Sequence, residues 1–238
     1  MTLLYREDPY QREARGVVRD HTPEGGVIVD PPLFYPTGGG QPGDSGRIEW
    51  DRRVLSIATA VKSDDGGSIL VPAEPTAMPP KGAHVVQVLD WERRHLHMRM
   101  HTALHLLSVV IPLPVTGGQV GAGIGRLDFD MPEMPGDKDA LERALNDLVD
   151  RDLPVTDDWI DHETLDANPA LVKTLSVRPP RTRGPVRLIR IGQGASQVDL
   201  QPCGGTHVAR TGEIGTLVIG KIENKGKQNR RVNISLDL

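Results

Sequence analysis

The chain is short of cysteine, of aromatic side chains and of long apolar runs. One of its 238 residues is cysteine, Cys203, which excludes an internal disulfide and points to a reducing, cytoplasmic setting. Phe, Trp and Tyr together make up 3%, so a core has to rest on Leu, Val and Ile. No apolar stretch approaches the roughly 18 residues that cross a bilayer, and no membrane association is expected. The opening Met-Thr-Leu-Leu-Tyr-Arg-Glu-Asp lacks the apolar segment of a signal peptide.

What is there is glycine and proline, 26 and 20 residues without a repeat. That composition suits a loop-rich fold with many strands. The net charge is −4, but it is unevenly placed. The chain is acidic from Asp128 to Asp166. It then carries Lys173, Arg178, Arg181, Arg183, Arg187 and Arg190 without an acid between them, and later Lys221, Lys225, Lys227, Arg230 and Arg231. Such clusters either meet phosphates or form a solvated face.

Residues 1–90 read as short strands: Val17-Val18, Val27–Val29, Arg47–Trp50, Val54–Ala58, Ser68–Val71 and Val85–Val88, each bounded by Gly, Pro or Asp. Their spacing predicts a small antiparallel β-barrel. Near Asp90 the hydrophobic period changes from two toward 3.6, and residues 91–238 read as a second domain. It opens with a helix from Trp91 to Val110, stopped by Pro112. Arg126–Asp130 then alternates like a strand, Asp137–Asp152 reads as an amphipathic helix, and a short helix follows near Pro169–Leu175. Strands near Val186–Ile191, Thr216–Ile222 and Arg231–Leu236 complete an α+β class with an antiparallel sheet.

Two fragments carry the chemistry. His101-Thr-Ala-Leu-His105 places two imidazoles four residues apart on one helical face. Cys203-Gly-Gly-Thr-His207 adds the lone thiol and a third imidazole around a glycine pair. Three imidazoles and a thiolate suit zinc, one ion per chain. The competing reading is a pair of core histidines and an unrelated inert thiol. His95 and His97 read as surface or capping residues. Gly38-Gly39-Gly40 reads either as a phosphate cradle of backbone N–H groups or as a tight turn or bulge. No Lys-Ser/Thr pair follows it, which argues against a nucleotide P-loop.

The paired fragments resemble the editing domain of alanyl-tRNA synthetase and its free-standing relatives, the AlaX proteins. Arg99-Met-His-Thr, Gly118–Gly121 with Arg126–Asp130, Gly226–Arg231 with Val232–Ile234, and Pro36–Gly46 extend the resemblance over nearly the whole chain. Having both regions, the chain is similar to the longer AlaX type. The resemblance implies a trans-editing deacylase for tRNA(Ala) mischarged with serine, or in some members glycine, with no ATP-binding core. It implies a zinc ion on His101, His105, Cys203 and His207. Zinc lowers the pKa of a bound water to about 7 and polarises carbonyls, yet four protein ligands usually mark a closed structural site.

Thr102, a hydroxyl between the two histidines, and Gln119, where the resemblance implies a polar pocket residue, are nominated for substrate positioning. Both are groups able to hydrogen-bond the hydroxyl that separates a seryl from an alanyl ester. The alternatives are an outward-facing or back-bonded helix threonine and a loop residue bonding its own backbone. Arg178, Arg181, Arg183, Lys225, Lys227, Arg230 and Arg231 are the expected phosphate contacts. Phe34, Tyr35 and Phe129 are the expected stacking aromatics for a single-stranded tRNA end. The rival readings are a non-catalytic zinc-stapled tRNA-binding module, a zinc hydrolase for another ester, and an editor of another mischarged tRNA.

Overall fold

The structure, a computed structural model, describes residues 2–134, 136–174 and 184–238. By contact the chain divides into two compact units, 1–97 and 98–238.

In the first unit a helical turn, α1 (Leu4–Glu7), precedes six strands: β1 (Glu13–His21), β2 (Val27–Asp30), β3 (Gly46–Trp50), β4 (Arg53–Lys62), β5 (Ser68–Pro72) and β6 (His84–Leu89). They close into an antiparallel barrel in the order β1-β2-β5-β4-β3-β6, as the strand spacing predicts. Alternation fills it: Val18, Val27, Val29, Ile48, Leu55, Ile57, Leu70 and Val85 point inward and are buried. Each deeply buried aliphatic side chain is worth about 1.5–3 kcal/mol in transfer free energy. Phe34 joins this interior and Tyr35 packs edge-on against Tyr5, at 0% and 4% exposed. They are core residues, and neither is available to stack on a nucleobase.

A long helix, α2 (Trp91–Val110), follows β6, with the bounds that the sequence predicts. Asp90 caps it, accepting from the Arg93 N–H at 3.3 Å. The division between units falls inside α2 because its first turns are tied to the barrel. Arg94 is buried at 1% exposed. Its guanidinium is ion-paired to Asp44 (Nε at 2.8 Å from Oδ1) and donates to the carbonyls of Pro9 and Leu33. Asp44 in turn accepts from Tyr35 N–H at 2.6 Å. The expectation for two nearby histidines is corrected in part: His97 is buried, while His95 stacks on Trp91, with ring centroids 5.2 Å apart.

The second unit carries two antiparallel sheets. One runs β12 (Leu217–Asn224), β13 (Asn229–Leu236), β8 (Ile124–Asp130) and β7 (Val115–Val120) in that order. The other runs β11 (Asp199–Pro202), β10 (Val186–Ile191) and β9 (Val155–Ile160). Two more helices are α3 (Lys138–Asp150), capped by Asp137, and α4 (His162–Ala167), capped by Asp161. The fold class is therefore the α+β class expected. The helix expected near Pro169–Leu175 is one 3-10 turn, Pro169–Leu171, with Leu175 outside the described residues. Phe129 is fully buried, so the third expected stacking aromatic is also a core residue. Among the described residues no helix is long and apolar enough to cross a membrane.

Candidate metal centre

Helix periodicity and one strand end build the site. On α2, His101 and His105 are one turn apart and their ring centroids lie 5.4 Å from each other. β11 ends at Pro202, and the chain then turns so that His207 packs against both, at 4.3 and 4.7 Å between centroids. Cys203 Sγ is 3.4 Å from His101 Nε2 and 3.3 Å from His207 Nε2. Among the described residues, the four donor atoms lie within 4.8 Å of one another, and the three imidazoles are buried. Three nitrogen donors and one sulfur donor gathered at that spacing can hold a metal ion.

The turn that brings Cys203 in is clamped. Its N–H donates to the Arg187 carbonyl at 3.2 Å. The Arg187 guanidinium returns to the carbonyls of Cys203 (3.3 Å) and Gly205 (2.7 Å) while its Nε holds Asp157 at 2.9 Å. The Gly205 N–H points at the Cys203 sulfur, 3.4 Å away.

A second layer orients two of the imidazoles. Asp199 Oδ2 lies 2.9 Å from His105 Nδ1, and Asp199 Oδ1 takes the Lys173 ammonium at 2.6 Å. Gln201 donates to the same carboxylate at 2.8 Å. Thr102 Oγ1 lies 3.1 Å from His207 Nδ1, donates to Met98 O at 3.0 Å and accepts from Val208 N–H at 3.3 Å. With Nδ1 engaged outward, both rings turn Nε2 toward the cluster, the usual arrangement around metal-binding histidines.

The charges follow. Burial alone would raise the Cys203 thiol, but His101 and His207 beside it hold it well below its ordinary value of 9.0. Burial likewise works against a charged His105, yet Asp199 and Cys203 push it up to about 9. His207 is pressed down to about 3 by burial and by His101. Asp199 would be raised by burial, but His105 and Lys173 bring it to about 2. The metal-free cluster is thus a thiolate beside an imidazolium, anchored on an ionised carboxylate.

The other nominated residues fare differently. Thr102 lies at the cluster, but a hydroxyl has one proton and two lone pairs, and Met98, His207 and Val208 use all three. It therefore orients the His207 ring, with no capacity left for a substrate hydroxyl. Gln119 is exposed on β7 and accepts from Arg126 Nε at 3.3 Å. It lines a cavity of about 350 Å³ with Ile124, Arg126, Asn233 and Ser235, which none of the four donors borders.

Arg178, Arg181 and Arg183 lie outside the described residues. Arg230 is corrected as a phosphate contact: it is buried, and its guanidinium donates to the carbonyls of Gly226, Asn229 and Pro132. Arg231 is bound in a pair of contacts to Asp128 at 2.8 and 2.9 Å. Lys225 lies 3.4 Å from Glu223, and Lys227 is exposed. In the glycine triplet, Gly39 and Gly40 form a two-residue turn closed by reciprocal Gly38–Gln41 backbone bonds of 3.0 Å. Gly39 and Gly40 take φ of 57° and 81°, the positive pair that a type I′ turn needs.

Sequence reasoning missed Asp199 and Gln201, and it read Lys173 and Arg187 only as part of a basic run, whereas they are ion-paired to Asp199 and Asp157. The first two had a signal: alternate residues on a strand share a face, and Asp199-Leu-Gln201 leads directly into Cys203.

Residues 186–233 match the family model described as the threonyl and alanyl tRNA synthetase second additional domain. The alanyl-tRNA editing proteins AlaX-M of Methanosarcina acetivorans and Methanosarcina barkeri are 32% and 34% identical to the chain, each over 98% of both sequences. The alanine–tRNA ligase of Pyrobaculum calidifontis is 33% identical over 92% of this chain and 25% of its own length. With about a third of its residues identical to the AlaX-M proteins over 98% of both sequences, the chain belongs to the AlaX family of alanyl-tRNA editing proteins.

Proposed function

We propose that the protein is a trans-editing hydrolase that clears serine, and glycine, from mischarged tRNA(Ala) at a zinc centre held by His101, His105, Cys203 and His207. The observation that carries this reading is the buried three-imidazole, one-thiolate cluster in a chain similar to AlaX-M over its whole length. In the reaction the bond between the aminoacyl carbonyl carbon and the ribose oxygen breaks. A water oxygen forms the new bond to that carbon, and a proton passes to the ribose oxygen. Zinc, when bound, supplies Lewis-acid polarisation and acidifies water. Asp199 and Thr102 fix the tautomers of His105 and His207, so that neutral Nε2 lone pairs and the Cys203 thiolate face inward. Arg187 keeps the Cys203 turn closed.

The test is deacylation of tRNA(Ala) charged with serine, glycine or alanine, with and without a chelator. The expected result is rapid loss of the seryl ester, sparing of the alanyl ester and suppression by the chelator. Seryl-tRNA that survives as long as in buffer overturns the reading. Four protein donors favour one second reading, a closed structural site in a tRNA-binding module. In that case chelation unfolds the protein, and tRNA binds without losing its amino acid.

A further inference from the structure

The three-stranded sheet has one face turned to the donor cluster. Asp199 and Gln201 stand on that face, since both reach His105 on α2. The register places Ile189 opposite both Gln201 and Asp157, and Arg187 opposite Trp159. Directly opposed residues share a face and alternate ones return to it. Asp199, Gln201, Ile189, Arg187, Asp157 and Trp159 therefore all belong to the cluster's face. Cys203 sits beside Arg187 through its N–H, so Trp159, Arg187 and Cys203 form one row across the sheet. Two strand spacings separate the ends of that row, about 10 Å between backbones.

Trp159 lies on the edge strand of this sheet and is 50% exposed. The other two tryptophans are engaged: Trp50 is in the barrel core, and Trp91 stacks on His95 beneath Arg12. Among the described residues no aromatic ring and no cation packs on the Trp159 indole. That indole is thus half open to solvent on the same sheet face as the donor cluster.

We infer, building on the deacylase reading, that Trp159 is the platform on which the terminal nucleobase of the aminoacyl-tRNA stacks. Base and ester hang from the same ribose, so a base site has to lie within a nucleoside's length of the cluster, and the row across the sheet provides that separation. Base–aromatic stacking tolerates any base. With Phe34, Tyr35 and Phe129 buried, Trp159 is the aromatic that the cluster's own face offers for it.

Two measurements test this. The first is steady-state deacylation of seryl-tRNA(Ala) by the wild type, Trp159→Ala and Trp159→Phe. Trp159→Ala is expected to raise KM roughly tenfold with a smaller change in kcat, and Trp159→Phe to recover most of the loss. The second is tryptophan fluorescence titrated with a short single-stranded RNA that has the tRNA's terminal nucleosides and no amino acid. Saturable quenching is expected in the wild type and not in Trp159→Phe. A wild type that hydrolyses no ester overturns the deacylase reading alone, because the titration still reports base stacking. An unchanged KM in Trp159→Ala, or quenching that persists in Trp159→Phe, overturns this one, as does self-association of the wild type that Trp159→Ala abolishes.

Discussion

Asp199 Oδ2 stands 2.9 Å from His105 Nδ1, and the other oxygen of the same carboxylate holds Lys173. The carboxylate fixes which nitrogen of His105 carries the proton and thereby aims Nε2 at the cluster. Outer partners of this kind commonly change metal affinity 10- to 100-fold. Asp199→Asn is expected to weaken zinc by roughly that factor, measured by competition with a chromophoric chelator, with Cys203→Ala weakening it further. Equal affinity in Asp199→Asn and the wild type would show that packing alone orients His105.

Thr102 predicts a stability effect rather than a selectivity effect. Thr102→Val keeps the shape and removes the hydroxyl, leaving Val208 N–H and His207 Nδ1 without their partner in a buried site. Each unsatisfied buried group costs about 1–3 kcal/mol. With two such groups, urea unfolding is expected to show a loss of about 2–6 kcal/mol for Thr102→Val and little loss for Thr102→Ser. Weaker zinc binding should accompany the valine substitution. A fully stable valine variant would remove the hydroxyl from the second layer.

Much of this architecture was legible in the sequence, and where it was not the reasons are local. The bounds of α2 could be read because Asp90 caps the start and Pro112 blocks continuation. The four donors were visible because two sit at helical spacing and two flank a glycine pair. β9 was hidden because Val155-Thr-Asp-Asp-Trp-Ile160 puts two acids in mid-strand. β11 was hidden because it is only Asp199–Pro202 and ends in a proline. Without those strands there was no face on which to place Asp199, Gln201 and Trp159. The basic cluster at the chain's end misled in the opposite way. Charge pattern does not say which guanidinium is spent internally, and Arg230 and Arg231 both are.

The glycine motif makes its steric demands later than its triplet suggests. A Cβ on Gly43 would be driven into Ala60 O and lie 2.8 Å from Ala60 N, and one on Gly46 would be driven into Val88 O. Both obstacles are backbone and cannot swing aside. A Cβ on Gly39 would meet nothing within 4 Å, although φ there is +57°. Gly43→Ala and Gly46→Ala are therefore expected to cost at least about 2 kcal/mol or to prevent folding. Gly39→Asn should cost less than about 1 kcal/mol, because Asn accepts the left-handed region. Urea midpoints of the three variants give the comparison, and a stable Gly43→Ala would contradict the close approach to β4.

Stability of the metal-free protein should depend on pH in a way set by the cluster. His105, raised to about 9 from 6.5, stabilises fully below 6.5 and loses that contribution as pH rises through about 9. Cys203, lowered well below 9.0, does the reverse: its contribution is present above 9.0 and is lost as pH falls. Between 6.5 and 9 the folded cluster keeps one proton on His105, and the unfolded chain keeps one on Cys203. The numbers match, so stability is flat there.

Below 6.5 the unfolded chain also protonates His207, which the fold holds down to about 3. Unfolding then takes up two protons, on Cys203 and on His207, and each contributes about 1.4 kcal/mol per pH unit. Asp199, lowered to about 2, adds to the loss as pH falls below 3.8. Urea unfolding of the chelator-stripped protein is expected to show a plateau above about pH 6.5 and a steep fall beneath it. Zinc replaces the His105 proton, so the loaded protein should resist acid further but shed its metal as the ligands protonate. A decline between pH 7 and 9 in the stripped protein would mean that Cys203 keeps its proton, and the thiolate–imidazolium pair would have to be abandoned.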